Sequence, residues 1–158
     1  MKYFLVVYTL LLLSGCSFKN YTHTTAKLIT LKTPKIKFSD IAYIRHNDNA
    51  LELELFVAGQ VINRLSIDNL VCVQNQGCMS KSSFNAKYLE KSYPPNILQN
   101  ILLGDTIYNG KNKKQTANGF EQIINTQNVA LIYRVTRSQI YFKDKKNHIL
   151  IKIKELKQ

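Results

Sequence analysis

Leu51-Glu52-Leu53-Glu54-Leu55 alternates strictly between apolar and charged residues. A period of two belongs to a β-strand, so this stretch turns its leucines to a core and its glutamates to water. Turn signals bracket it, His46-Asn47-Asp48-Asn49 before and Ala58-Gly59 after. Upstream, Ile36, Phe38 and Ile41 begin a strand that runs to Ile44. Downstream, Val61, Asn63, Leu65 and Ile67 interleave with Ile62, Arg64 and Ser66, and Asp68-Asn69 turns the chain again. Strands joined by such short turns predict an antiparallel meander.

The next turn carries cysteines. Cys72 and Cys78 flank Val73-Gln74-Asn75-Gln76-Gly77, and a hairpin with a tip of three to five residues sets them opposite one another. A disulfide is the favoured reading. A free thiol pair or a metal site are the alternatives; the metal reading lacks further cysteines, and His23, His46 and His148 stand in unrelated contexts.

Between the cysteine hairpin and residue 104 the period changes. Ser82 or Ser83 is placed to cap a helix through Phe84, Tyr88 and Leu89, which Tyr93-Pro94-Pro95 stops. Pro95 suits the first turn of a second helix, with Ile97, Leu98, Ile101 and Leu102 on one face and Gly104 as C-cap. Residues 105–109 read as a brief strand and 109–118 as a polar, basic loop. The period of two then returns in 120–124, in Val129, Leu131, Tyr133 and Val135, in 139–143, and in Ile149, Ile151 and Ile153. Strands, two helices and strands again predict an α+β fold: a curled antiparallel sheet, or half-open β-barrel, with two short covering helices.

The N-terminus speaks to location. Lys2, an apolar run over 3–13 and Leu13-Ser14-Gly15-Cys16 form a secretory signal whose cut site resembles a bacterial lipobox. That resemblance implies diacylglycerol on the Cys16 thiol and cleavage after Gly15; an ordinary cleaved signal with an incidental cysteine is the alternative. The run is too short to span a bilayer, which takes about 20 apolar residues. The expected organisation is a signal peptide over 1–15, a lipidated cysteine and tether over 16–34, and one β-rich domain over 35–158. Residues 27–32 read as a first strand within the tether, since Leu28-Ile29-Thr30-Leu31 favours β structure.

The chain is basic, with 22 Lys and Arg against 10 Asp and Glu, a formal charge of +12. Its clusters, Lys111-Asn112-Lys113-Lys114 and Lys143-Asp144-Lys145-Lys146, sit beside turn residues and read as solvated loops. No nucleic-acid motif appears. Gly-x-Ser-x-Gly, His-Glu-x-x-His and a phosphate-cradling glycine loop are all missing, so the reading is not an enzyme, with no cofactor and no metal. Glu52 and Glu54 share a strand face, and their alternation with leucines makes that a solvated face rather than a pair of catalytic carboxylates. Asp105 after Gly104 marks a helix stop.

Several segments resemble the outer-membrane lipoprotein receptor family LolB, itself made of lipoproteins. Tyr93-Pro94-Pro95-Asn96-Ile97-Leu98-Gln99-Asn100-Ile101-Leu102-Leu103-Gly104 is similar to the family's helix before a Leu-Gly stop. Gly119-Phe120-Glu121-Gln122 and Val129-Ala130-Leu131-Ile132-Tyr133 are similar to its following strand pair, and Ile149-Leu150-Ile151-Lys152-Ile153 to its last strand. The resemblance implies that Phe56-Val57-Ala58-Gly59 takes the place of the family's protruding apolar loop; the chain departs from the family in having no Trp.

The resemblance implies an apolar cavity that receives the acyl chains of a cargo lipoprotein from a periplasmic LolA-like carrier and releases them into the outer membrane. Its candidate walls are Leu51, Leu53, Leu55, Leu65, Ile101, Leu102, Phe120, Leu131, Tyr133 and Ile151, for which plain core packing is the alternative. The protein would be a monomer, anchored through Cys16 and facing the periplasm. Ser17 after the lipidated cysteine permits outer-membrane sorting by the enterobacterial rule. The rival reading is a structural or protein-interaction envelope lipoprotein with a filled core and no ligand.

Overall fold

The strands around the leucine–glutamate alternation form because each turn between them has the chemistry it needs. In the computed structural model, which describes residues 20–156, β1 (His23–Lys32), β2 (Lys37–His46), β3 (Leu51–Val57), β4 (Gln60–Ile67), β5 (Leu70–Val73) and β6 (Gly77–Ser80) run as a meander. Asn47 Oδ1 accepts from the Asn49 and Ala50 N–H groups at 2.9 and 2.8 Å, which closes the β2–β3 turn. Ala58 and Gly59 turn the chain with φ of 51° and 80°, the positive pair that a two-residue hairpin requires. A bulge between Leu55 and Phe56 follows in the β3–β4 register.

Two short helices come next, α1 (Lys81–Tyr88) and α2 (Ile97–Leu103), then a 3₁₀ turn (Tyr108–Gly110). The chain returns to strands in β7 (Lys113–Thr116), β8 (Gly119–Asn125), β9 (Ala130–Thr136), β10 (Gln139–Asp144) and β11 (Ile149–Glu155). All eleven strands join one antiparallel sheet in the order β6-β5-β4-β3-β2-β1-β11-β10-β9-β8-β7. β1 pairs with β11, so the two meanders fuse along the chain's first and last strands. β6 and β7 are left as edges, and the sheet is not closed. Both helices lie in the segment that leads from one edge to the other, and their apolar residues share one core with the sheet's inner face.

The register explains that face. Leu31 pairs with Phe38 and Ile151, Phe142 with Ile151 and Tyr133, and Leu53 with Ile44 and Leu65. Two glycines are obligatory. Gly104 ends α2 at φ 76°, and a Cβ on Gly119 would lie 1.9 Å from the Val135 carbonyl oxygen.

The structure corrects the sequence reading at five places. β1 begins at His23, so the sheet takes in much of the expected tether. α1 is capped by Ser80, not Ser82 or Ser83, with Ser80 Oγ accepting from the Ser83 N–H at 3.1 Å. α2 begins at Ile97, which puts Pro95 in the turn before it. The brief strand expected over 105–109 is instead a bend and the 3₁₀ turn, with Tyr108 and Asn109 at positive φ. The expected basic loop contains β7, an edge strand exposed along its whole length.

Candidate functional site

A hollow of about 340 Å³ opens between the inner face and α1. Its floor is Leu53, Leu55, Leu65 and Val73 of β3, β4 and β5, continued by Leu31 and Ile151. Phe84, Tyr88 and Leu89 of the α1 segment and Leu98 of α2 form the roof. The roof is held in place: Tyr88 donates its hydroxyl to Gln76 Oε1, its ring lies 4.8 Å from that of Phe84, and Asn85 Nδ2 donates to the Pro94 carbonyl at 2.9 Å. The β1–β2 turn supplies the rim, with Lys35, Ile36 and Lys37. Thr33 Oγ1 shapes that turn by accepting from the Lys35 and Ile36 N–H groups at 3.2 and 2.9 Å.

Of the ten candidate wall residues, Leu53, Leu55, Leu65 and Ile151 line this hollow. Leu51, Ile101, Leu131 and Tyr133 are fully buried elsewhere in the core. Phe120 packs edge-on against Tyr133 at 5.8 Å. Leu102 lines a second hollow of about 290 Å³ at the end of α2, where Lys27 and Glu155 form an ion pair. Strand alternation identifies the inner face, but it does not separate a wall from a packed layer.

Under the α1–α2 connection the interior is filled. Tyr93, Phe142 and Tyr133 stack edge to face at 5.9 and 6.2 Å. Gln122, with no exposed surface, bonds both backbone groups of Ile107 at 2.9 Å and the Lys111 carbonyl at 2.7 Å. Asp144, equally buried, accepts from Tyr93 Oη and Asn147 Nδ2, each at 2.7 Å. Burial would raise the Asp144 pKa, but these bonds win and hold its carboxyl below the usual range. Burial and the same bond push the Tyr93 hydroxyl up, and burial and the charges of Asp144 and Glu90 push Tyr108 up to about 12. Tyr93 and Asp144 thus tie the α1–α2 connection to the sheet.

On the outer face, Glu52 and Glu54 are not simply solvated. Glu54 is 3% exposed and lies between Arg45 and Arg64, with Arg64 Nε at 2.8 Å; Arg45 also reaches Glu52 at 3.0 Å. Burial alone would raise the Glu54 pKa, but the two guanidiniums hold it below the usual carboxylate range. The three strands' register brings the two arginines to Glu54, which alternation within β3 cannot show.

The cysteines form the disulfide Cys72–Cys78 across the β5–β6 hairpin, so these thiols are not free for a metal. His23 and His46 do not stand apart: β1–β2 pairing stacks their rings at 4.9 Å. Among the described residues, no three His, Cys, Asp or Glu side chains group as metal ligands. No helix among the described residues is long and apolar enough to cross a membrane. Cys16, Ser17 and the signal segment lie outside the described residues. Compared with known proteins, the chain matches no family model, no curated protein and no solved structure.

Proposed function

We propose that this chain is a lipid-anchored envelope protein that receives an acyl chain in the hollow beneath α1. In this reading the open sheet with its two helices works as a half-open barrel. As its resemblance to the LolB family implies, it takes the acyl chains of lipoproteins from a LolA-like carrier and helps insert them in the outer membrane. The apolar hollow carries the proposal. Moving hydrocarbon from water into such a site is favourable by about 0.8 kcal/mol per methylene, and no covalent chemistry is needed. The β3–β4 hairpin adds support, since Val57, Val61 and Ile62 at its tip are 46%, 41% and 54% exposed and suit contact with a lipid surface.

Titration with a fluorescent acylated peptide, and with the same peptide lacking its chain, tests the reading. Saturable binding of the acylated form alone is expected; no binding would favour the rival, an interaction lipoprotein that docks a protein partner. Leu65→Glu is a better disabling change than Leu53→Glu. Leu65 is half-buried and faces the hollow, whereas Leu53 is 2% exposed and a glutamate there would compromise the fold.

A further inference from the structure

We propose that the hollow favours an acyl chain bearing an anionic head group, as in a fatty acid or a monoacyl phospholipid. This rests on reading the hollow as an acyl site and adds which amphiphile it takes. Three observations carry it.

Size comes first. At about 30 Å³ for a water-sized group, 340 Å³ has room for roughly a dozen such groups. That is room for one medium chain.

Charge comes second. The β1–β2 turn places Lys35 and Lys37, both exposed, on the rim. No acidic side chain lines the hollow among the described residues. A cation at this rim meets only like charge, whereas a carboxylate or phosphate meets two ammonium groups within reach of the opening.

The third observation is an unmet acceptor. Asn63 lines the hollow opposite Leu55, and its Oδ1 is buried without a hydrogen-bond partner. A buried acceptor left unpaired is costly. Asn63 sits near the β3–β4 turn, the same end of the sheet as Lys37, so a donor near the head of a bound chain would satisfy it. The free hydroxyl of a monoacyl glycerophospholipid qualifies, whereas a carboxylate, which only accepts, leaves Asn63 Oδ1 unmet and meets the lysines alone.

The test uses the full chain in phosphatidylcholine nanodiscs and photoreactive twelve-carbon chains with a terminal diazirine. Four head groups are compared: carboxylate, phosphoglycerol, neutral glycerol and amine. Expected is labelling of the segments bearing Leu53, Phe84 or Tyr88 by both anionic probes, about fivefold above the neutral and amine probes, the size of effect two exposed charges give. The stronger of the two anionic probes identifies the source. Lys35→Glu/Lys37→Glu, at exposed positions, should erase the anionic preference and raise labelling by the amine. Equal labelling by all four heads, or a preference unchanged in the double variant, would overturn the head-group assignment while leaving the acyl site standing. Absence of labelling by every probe would overturn the acyl site itself.

Discussion

Two regions of one sheet are covered by the helical segment with opposite results. Beneath α1, the strands β3–β5 offer leucine and valine, and a hollow remains. Beneath the α1–α2 connection, the strands β9 and β10 offer Tyr133 and Phe142, which pack with Tyr93 into a closed layer, and the smaller second hollow opens only beyond it, at the end of α2. Both halves alternate with the same period, so alternation alone does not decide between cavity and core. Side-chain volume and anchoring decide. Gln122 and Asp144 fix the backbone of the 105–111 segment and the Tyr93 hydroxyl, which draws that connection onto the sheet. Among the described residues, the α1 half has no comparably buried hydrogen-bonded anchor to the sheet: Asn85 bonds within the helical segment and Tyr88 bonds the β5–β6 turn.

The contrast breaks most severely at its filled side. Tyr133→Ala should cost about 3–5 kcal/mol, the range for deleting a buried aromatic, and urea denaturation would read it. Leu65→Ala, at the half-empty side, should cost under about 2 kcal/mol in the same assay, because Leu65 already borders open space. Equal losses would mean the halves are packed alike.

Breaking the covalent brace should cost less than the aromatic deletion. Cys72→Ser/Cys78→Ser releases a short loop and should lower stability by about 2 kcal/mol by the loop-entropy estimate. Its thermal midpoint measures this. The roof should loosen as well, because Tyr88 bonds Gln76 inside that loop, and hydrogen exchange in α1 should rise ahead of exchange in α2.

Acid sharpens the comparison further. Glu54 and Asp144 ionise more readily folded than unfolded. Their stabilisation is therefore complete above the unfolded carboxylate range, roughly pH 4, and is lost as pH falls below it. Asp144→Asn should flatten the acid limb of the stability–pH curve, and Glu54→Gln should do the same by an independent amount. An unchanged acid limb in both variants would contradict the bonding described for these carboxylates.

The smallest expected stability effect is the most informative for function. Leu65→Phe adds volume to the hollow and should change stability by less than about 1 kcal/mol while abolishing acylated-peptide binding. Retained binding would place the ligand elsewhere.

Most strands were legible because their turns and periods are local. Asn47, Gly59, Asn69 and Gly104 announce the chain reversals, and the apolar face of α2 is written in Ile97, Leu98, Ile101 and Leu102. β7 was not legible, since Lys113-Lys114-Gln115-Thr116 is an edge exposed on both faces and has no apolar period to betray it. The start of β1 was hidden for the same reason in His23-Thr24-Thr25. The candidate site was half legible: Leu53, Leu55, Leu65 and Ile151 sit on its walls, whereas Leu51 and Tyr133 share the pattern and are packed solid. Phe84, Tyr88, Asn63 and the rim lysines depend on how α1 and the β1–β2 turn meet the sheet, which no single segment encodes.

The most direct measurement is methyl nuclear magnetic resonance of the leucines, isoleucines and valines during titration with a twelve-carbon fatty acid. Saturable shifts and contacts to the chain are expected at Leu55, Leu65 and Val73, with Ile124, Leu131 and Ile149, buried away from the hollow, unmoved. Shifts spread evenly over both halves, or none at any concentration, would contradict a hollow built to take an acyl chain.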